Sequence, residues 1–484
     1  MFLRGSFYAI AFLLCLAVVA NLRIPRIRQL VLLLTSWLLY LAWTRWFFAV
    51  LLTSTLTNFL LGHALRRKQS GVLLATGISL NLILLSSFKY FPAIVVAMPF
   101  SSLQRIAHLA LPLGISFWTF QAMSYLFDLY REEELDPSFV EFALYMAFFP
   151  VTISGPICRM PDMLPQFRSD APISWESIGR GLQRIATGVL MMLLARLLGQ
   201  GILAGDGINS GFDRATQWSG LDVWCLAFGY SLQLFFDFAG YSHIAIGAAQ
   251  ALGLIMPENF ARPFQSTTPS IFWTRWHMSL SFWIRDYVFL PLATARREVW
   301  WRNLALVISM ILFGLWHKAT ILFLLWGTYH GVLLVAHRQI QQAKRRFEWE
   351  PRSAWWTLLS WVITMICVSL GWIFFRVNSL AEAAAMLSVL VSPVTYGAYF
   401  LSMSLYLLVA GLALGYAIVS LVAQALNGSA QDSSAENARV GLASIAVRCR
   451  WYWLPPLYTV TLFFVLMVTL GRGSSTAQFM YGNF

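Results

Sequence analysis

Residues 304–336 read LALVISMILFGLWHKATILFLLWGTYHGVLLVA, in which two apolar runs are separated by a short polar interruption at His317 and Lys318. The runs are continuous, whereas the strands of an outer-membrane barrel alternate apolar and polar residues. Continuous runs of this length are typical of membrane-spanning helices. Similar runs recur along the chain, so the sequence predicts an all-α, polytopic integral membrane bundle.

The composition of the 484-residue chain favours the same fold class. Hydrophobic residues make up 58% of the chain and charged residues only 11%, against about 25% charged residues in a soluble domain. The surface as well as the core must therefore be apolar, and lipid is the solvent that accepts such a surface. The five cysteines are scattered and form no CxxC pair, so they predict neither a disulfide framework nor a metal site.

The net charge of +13 would suggest nucleic-acid binding in a soluble protein. In a membrane protein the positive-inside rule accounts for it, because basic clusters at residues 23–28, 66–68 and 338–352 mark cytoplasmic loops. We therefore predict that the partner is the lipid bilayer and not a nucleic acid. The predicted location is the cell inner (plasma) membrane.

About 11–13 spans are predicted within a single membrane-embedded domain, residues 1–484. The candidate spans are residues 7–22, 29–43, 46–65, 71–88, 106–127, 139–157, 182–204, 221–254, 304–316, 319–336, 355–375, 398–425 and 452–471. Most of the motifs discussed below lie at residues 105–385, between N-terminal spans at 1–104 and C-terminal spans at 386–484.

Residues 257–291 do not fit a simple span, because aromatic and charged residues alternate there between two prolines. This pattern predicts an amphipathic helix from Ser270 to Leu290 that lies at the interface or enters the bundle.

Ionisable residues inside apolar segments are functional candidates, because placing a charge at bilayer depth costs several kcal/mol of free energy. The candidates are Asp128, Asp237, His243, Arg275, His277, Arg285, Asp286, His317 and His330.

His317 lies between the two apolar runs quoted above. A neutral imidazole is tolerated at that depth and is well suited to move a proton near neutral pH. The alternative is a histidine that packs between helices and bonds a backbone carbonyl. Gly314 one turn before it and Lys318 after it indicate a break or a cavity, which favours a function.

His277 stands between Trp276 and Met278 in the amphipathic segment. It fits either a second functional histidine or an anchor at the membrane interface. His330 is interpreted as structural, although it could face the same cavity as His317. The chain has no serine elbow, phosphate loop or HExxH motif. The residues alone therefore predict an intramembrane histidine site without naming its reaction.

Six blocks, in order, resemble the membrane-bound O-acyltransferase superfamily, in the bacterial branch that contains alginate O-acetyltransferase and the teichoic-acid D-alanyl transfer protein. The blocks are residues 111–131, 148–167, 235–253, 259–292, 314–331 and 371–383, and the closing FMYGNF is similar to the aromatic C-terminus of the family.

The resemblance implies that an acyl group, usually acetyl, passes from a cytoplasmic thioester to an extracytoplasmic hydroxyl through a tunnel across the membrane. It places His317 at the position of the catalytic histidine, which we take as the base, and His277 at that of the second motif histidine. Substrate-binding or tunnel positions are expected at Arg275, Trp276, Trp316 and Asp286.

No bound cofactor and no metal are expected; the acyl donor would be acetyl-CoA or an acyl carrier protein thioester. The expected partners are a polysaccharide and a periplasmic or extracellular acyltransferase. The chain departs from the family at two positions. Lys318 replaces the usual glycine and could narrow the site or contact an anionic donor, and His243 replaces an aspartate.

Three alternatives remain open from the sequence. The first is D-alanyl transfer to envelope polymers. The second is a proton-coupled transporter or flippase with a relay through His317, Asp237 and His243, although the chain lacks the internal repeats that many transporters carry. The third is a scaffold for an envelope polysaccharide assembly.

Overall fold

A computed structural model describes residues 2–43, 45–91, 112–131, 134–202, 206–214, 218–348 and 353–431. Within these ranges every regular element is a helix, and the only β-bridge joins Phe260 and Trp276. The predicted all-α fold class is confirmed.

The described α-helices vary from single turns to continuous segments of 32 residues. They are α1 (Phe2–Asn21), α2 (Pro25–Trp43), α3 (Arg45–Arg67), α4 (Gly71–Lys89), α5 (Ile115–Tyr130), α6 (Phe139–Ala147), α7 (Phe149–Thr152), α8 (Met160–Arg168), α9 (Trp175–Gln200), α10 (Ile208–Asp213), α11 (Gly220–Ala251), α12 (Pro269–Trp273), α13 (Met278–Ile284), α14 (Leu290–Thr294), α15 (Val299–His317), α16 (Ile321–Arg346), α17 (Ala354–Arg376), α18 (Leu380–Val391) and α19 (Met403–Gln431). Two 3₁₀ helices, Pro263–Gln265 and Pro393–Gly397, and one π-helix, Arg285–Phe289, lie between them.

Seven of the described helices are long and apolar enough to cross a membrane: α3, α4, α9, α11, α15, α16 and α17. Each coincides with a predicted span, so the chain is a multi-pass membrane protein. Shorter apolar helices cover Phe7–Asn21, Leu380–Val391 and Met403–Val419. The predicted span at 452–471 and the first residues of the span at 106–127 lie outside the described residues.

The predicted span at 139–157 is wrong, because the chain leaves the helix after Ala147. Phe148 has ψ 105°, outside the helical region, and begins a second, four-residue helix. Pro150 has no N–H to donate to the preceding turn, and its ring disfavours helical geometry before it. A continuous apolar composition therefore does not give a continuous helix here.

The predicted loop at residues 338–352 is also wrong in its first part. α16 continues through this basic segment to Arg346. Alanine, glutamine, lysine and arginine all have high helix propensity, so the positive charge does not end the helix.

The helices form two compact units. The first comprises Met1–Gly188 and Tyr241–Ser360, and the second comprises Val189–Gly240 and the chain from Trp361 onward. α9, α11 and α17 contribute residues to both units. The single domain spanning residues 1–484 stays a prediction.

The first unit contains both motif histidines. Its α3 and α4 are joined by a buried pair of amides, in which Asn81 Nδ2 donates to Asn58 Oδ1 at 2.7 Å and Asn58 Nδ2 donates back to Asn81 Oδ1 at 3.2 Å. Such a pair holds two helices together where hydrophobic burial gives little preference between protein and lipid.

The second unit is organised around the fully buried carboxylate of Asp222. This carboxylate accepts hydrogen bonds from Tyr406 Oη at 2.6 Å, from Leu401 N at 3.0 Å and from Ser219 N at 2.8 Å. It therefore joins the start of α11 to the start of α19, and the polar groups at both positions are satisfied.

Candidate active site

His317 is the last residue of α15 and only 2% exposed. The helix ends there because Lys318 adopts an extended conformation, with φ −156° and ψ 132°. The break predicted from Gly314 and Lys318 is therefore confirmed. The buried imidazole of His317 therefore lies at the end of a membrane-spanning helix rather than along its side.

Aromatic rings surround the imidazole of His317. Phe313 stacks on it at 5.5 Å between ring centroids, and Trp316 lies at 4.6 Å. Phe323 and Trp326 of the next helix lie at 6.1 and 5.8 Å. These four rings are of low polarity, and electrostatic interactions beside them are less screened than in water.

Glycines allow α15 and α16 to approach closely beside this site. A Cβ at Gly314 would overlap the carbonyl oxygen of Phe323, and a Cβ at Gly327 would overlap that of Met310. Backbones in contact are typical of small-residue interfaces between membrane helices. The contact fixes where His317 lies relative to the aromatic residues of α16.

His277 is fully buried and has φ 44° and ψ 53°, in the left-handed region. A non-glycine residue there costs about 1–3 kcal/mol and persists only where its surroundings impose it. The predicted continuous helix from Ser270 to Leu290 is therefore wrong. The segment consists of α12, a turn that ends at His277, α13 and the π-helix.

Asn259 imposes this turn. Its carbonyl accepts from Met278 N at 2.9 Å, and its side-chain Oδ1 accepts from Ser279 Oγ at 2.6 Å. Its Nδ2 donates to Ser242 Oγ at 3.1 Å. Asn259 was not among the predicted residues, although it is a polar residue at the head of the block at residues 259–292.

The two motif histidines lie in or beside one aromatic cluster. Trp276, next to His277 in sequence, contacts Phe272, and Trp273 contacts Phe313, which stacks on His317. His330, on α16, contacts Trp326 at 5.0 Å between ring centroids, so it shares an indole with His317. A shared cavity and a structural role for His330 both stay predictions.

The two predicted tryptophans belong to one aromatic cluster, in which Phe272, Trp273 and Phe313 lie between Trp276 and Trp316. Trp316 packs against Phe120 at 5.4 Å in addition to His317. Trp276 is buried and packs against Phe272 at 5.4 Å and Phe260 at 5.1 Å. Their roles in lining or gating a tunnel stay predictions.

Arg275 is half-buried, and its carbonyl accepts from Ala261 N at 3.0 Å. This backbone hydrogen bond supports the turn that ends at His277, as the hydrogen bonds of Asn259 do. Contact of its side chain with a donor stays a prediction.

Asp286 pairs with Arg285 through a 2.6 Å contact between Nε and Oδ1. A second partner was missed: Arg159 donates to Asp286 Oδ2 at 2.6 Å. In addition, Arg131 donates to the backbone carbonyl of Asp286 at 2.9 Å. Three arginines thus hold the first turn of the π-helix.

The same network continues through Tyr287, whose hydroxyl donates to Asp128 Oδ1 at 2.6 Å. The guanidinium groups of Arg131 and Arg159 lie over its ring at 5.3 and 5.1 Å. Asp128 lies near the end of α5, and Arg159 lies immediately before α8. The network therefore fixes the segment after His277 against two other helices.

We expect Asp286→Asn to destabilise the protein by about 1–2 kcal/mol, because a half-buried carboxylate with charged hydrogen bonds is lost. Burial acts to raise the pKa of Asp286, but hydrogen bonds from Arg285 and Arg159 outweigh it and lower that pKa below its ordinary value. The contribution is therefore complete above the ordinary pKa and disappears as the pH falls through the lowered one. Thermal unfolding of both proteins between pH 7 and pH 3 measures this difference, and parallel curves at all pH values would contradict it.

Lys318 and His243, the two departures from the pattern of the resembled family, differ in burial. The side chain of Lys318 is exposed, so it does not fill the space around the buried imidazole of His317. Its contact with an anionic donor stays a prediction. His243 is half-buried on α11. In the described part of the chain, no group of three His, Cys, Asp or Glu side chains is placed to hold a metal ion.

A buried imidazole at a helix end, beside a second buried histidine, can take a proton from a hydroxyl that reaches it. General bases of this kind act best where water is excluded and the partner is held in place. The geometry therefore suits proton transfer during attack by a hydroxyl group.

Comparison with known proteins supports a specific assignment. The chain matches the model of the membrane-bound O-acyltransferase family over residues 29–381. It is 32% identical to the probable alginate O-acetylase of Pseudomonas syringae over 390 residues, which cover 78% of this chain and 70% of the relative. It is 30% identical to the peptidoglycan O-acetyltransferase of Helicobacter pylori over 420 residues, covering 79% and 77%. It is 32% identical to the teichoic acid D-alanyltransferase of Bacillus subtilis over 282 residues, covering 54% and 68%. The chain belongs to the membrane-bound O-acyltransferase family and is an O-acyltransferase.

Proposed function

We propose that this O-acyltransferase moves an acetyl group from a cytoplasmic thioester to a hydroxyl group of an extracytoplasmic polysaccharide, with His317 as the base. The observation that carries the proposal is the buried imidazole of His317 at the end of a membrane-spanning helix, within an aromatic surrounding. The proposed location is the inner membrane, with the basic clusters of the chain on the cytoplasmic side.

In the proposed reaction, His317 accepts the proton of the acceptor hydroxyl as its oxygen attacks the thioester carbonyl carbon. The carbon–sulfur bond then breaks, and the leaving thiolate takes the proton back from the imidazolium. The aromatic residues exclude water, which would otherwise hydrolyse the thioester. His277 lies near enough to orient a reactant, and the imposed backbone at this residue keeps it in place.

The remaining predicted residues have proposed roles around this centre. Trp316 forms a wall beside His317, and Trp276 lines the path of the acyl group. Arg275 contacts the phosphates of the donor. Asp286 acts indirectly, because its arginine partners hold the segment that follows His277.

The donor is proposed to be acetyl-CoA or an acyl carrier protein thioester, with no bound cofactor. A periplasmic or extracellular acyltransferase is the proposed partner, which would pass the group to the polymer. Membership in an enzyme family argues against the transporter and scaffold alternatives.

D-alanyl transfer is the second candidate, and the match to the teichoic acid D-alanyltransferase favours it. That match covers 54% of the chain, whereas the two O-acetyl relatives cover 78% and 79%. The acetyl group is therefore the first choice.

The test is to delete the gene, restore it, and measure acetate and D-alanine released by mild alkali from purified envelope polymers. Acetate that disappears on deletion and returns on restoration supports the proposal. D-alanine that behaves in this way supports the second candidate and overturns the acetyl assignment. If neither changes, transfer to an envelope polymer is wrong.

A further inference from the structure

Lys89 is an ionisable residue that has no role in the reaction proposed above. It is the last residue of α4, and its Nζ is buried without a hydrogen-bond partner among the residues that the structure describes. An ammonium group carries three donors, and burying it without partners is costly. A lysine that is buried without such partners inside a membrane protein is therefore a candidate for function.

The position of Lys89 relates it directly to His317. Its Nζ lies 4.6 Å from the ring centroid of Trp316, and the imidazole centroid of His317 also lies 4.6 Å from a Trp316 ring. The hydroxyl of Tyr90 donates to the carbonyl of Leu315 at 3.1 Å, which fastens the end of α4 to the end of α15.

The contact with Trp316 does not satisfy the ammonium group. The face of an indole attracts a cation, and such a contact contributes about 0.5–2 kcal/mol. The contact with the indole occupies one side of the Lys89 ammonium group and provides no conventional hydrogen-bond acceptor. N–H donors therefore remain for an oxygen atom that arrives beside His317.

We propose that Lys89 is a catalytic residue that stabilises the oxyanion formed from the thioester carbonyl. The inference rests on the proposed function of His317 as the base. Donors held in advance where charge develops, in a site that excludes water, are among the largest contributors to catalysis.

The acceptor hydroxyl gives its proton to His317 and its oxygen forms a bond to the carbonyl carbon, while the carbonyl electron pair moves onto oxygen beside Lys89 Nζ. When the oxyanion collapses, the carbon–oxygen double bond re-forms and the carbon–sulfur bond breaks. The thiolate receives the proton from His317, so neither histidine nor lysine is changed overall.

The test uses membranes containing the full chain, acetyl-CoA as the donor probe, and envelope polysaccharide from the deletion strain as the acceptor. Lys89→Met should lower kcat by about 10²–10³-fold per folded molecule, as for loss of one oxyanion donor, and leave the KM for acetyl-CoA within about threefold. Lys89→Arg, which keeps a cation, should recover part of the lost rate. The matched control is Lys68→Met, at an exposed lysine just beyond α3, and it should retain the wild-type rate.

Several results would overturn the inference. One is a Lys89→Met protein with kcat within threefold of the wild type, and another is an unchanged kcat with a raised KM, which would make Lys89 a donor-binding residue. If Lys89→Met folds poorly, Lys89→Gln is compared with it per folded molecule; a lower Tm with unchanged kcat in both would show a structural role. If the wild-type membranes form no acetyl ester in any of these assays, the proposed function fails, and that outcome is distinct from an active wild type with active Lys89 variants.

Discussion

Replacing His317 with alanine should reduce ester-linked acyl groups on the envelope polymer to the level of the deletion strain. A general base contributes about 10²–10⁴-fold to the rate, so residual turnover would fall below detection in cells. The protein should still be made, because α15 already ends at His317 and the substitution leaves its helical hydrogen bonds in place.

Alanine also removes the ring that contacts Phe313 and Trp326, so a second variant separates catalysis from packing. His317→Gln keeps a polar side chain of similar length but has no basic nitrogen. It should be as inactive as His317→Ala at an abundance closer to the wild type. An active His317→Gln protein would contradict the assignment of His317 as the base.

The matched control for these variants is His63→Ala. His63 lies on α3, and its Nδ1 is 3.1 Å from Arg66 Nη2 at an exposed position. Removing a histidine there should leave acyl transfer unchanged. Loss of activity in all three variants at normal abundance would show that the assay responds to histidine content or membrane insertion rather than to the site.

Much of the fold was predictable because it depends on local properties of the chain. Long apolar runs form helices wherever they occur in lipid, since backbone groups must bond within the segment. His317 was also predictable from the sequence. An ionisable residue between two apolar runs is costly to bury in a membrane and is therefore a candidate for function. Gly314 and Lys318 indicated a break or a cavity at this point, and the helix ends there.

The wrong predictions at residues 139–157 and 338–352 have local causes, whereas those around His277 and Asp286 arise where contacts between distant residues decide the structure. The turn at His277 depends on hydrogen bonds from the segment at Asn259, which no periodicity within residues 270–290 reveals. Arg159 pairs with Asp286 across 127 positions of the chain. Lys89 was overlooked for the same reason: at the end of an apolar run it fits an ordinary interfacial lysine, and only the folded chain brings it beside Trp316.

Close packing between α15 and α16 predicts a large effect of a substitution at Gly327, a residue that carries no functional group. Gly327→Ala should destabilise the protein and reduce acyl transfer strongly. A Cβ there would overlap the carbonyl oxygen of Met310 and lie 2.8 Å from the Cα of Ile311. Both are backbone atoms of α15, so no side-chain rotation relieves the overlap and the two helices must separate.

Overpacking of this kind costs about 1–3 kcal/mol, sometimes more, which exceeds the gain of up to about 1 kcal/mol from replacing glycine by alanine in a helix. Separation of the helices also moves Trp326, the neighbour of Gly327, away from His317, so activity per folded molecule should fall as well. Gly179→Ala is the matched control, because it makes the same chemical change on α9 where a Cβ meets nothing within 4 Å. Tm in detergent and ester formation in membranes measure both effects. If Gly327→Ala and Gly179→Ala give the same Tm and the same rate, contact between the backbones of α15 and α16 is not what positions His317.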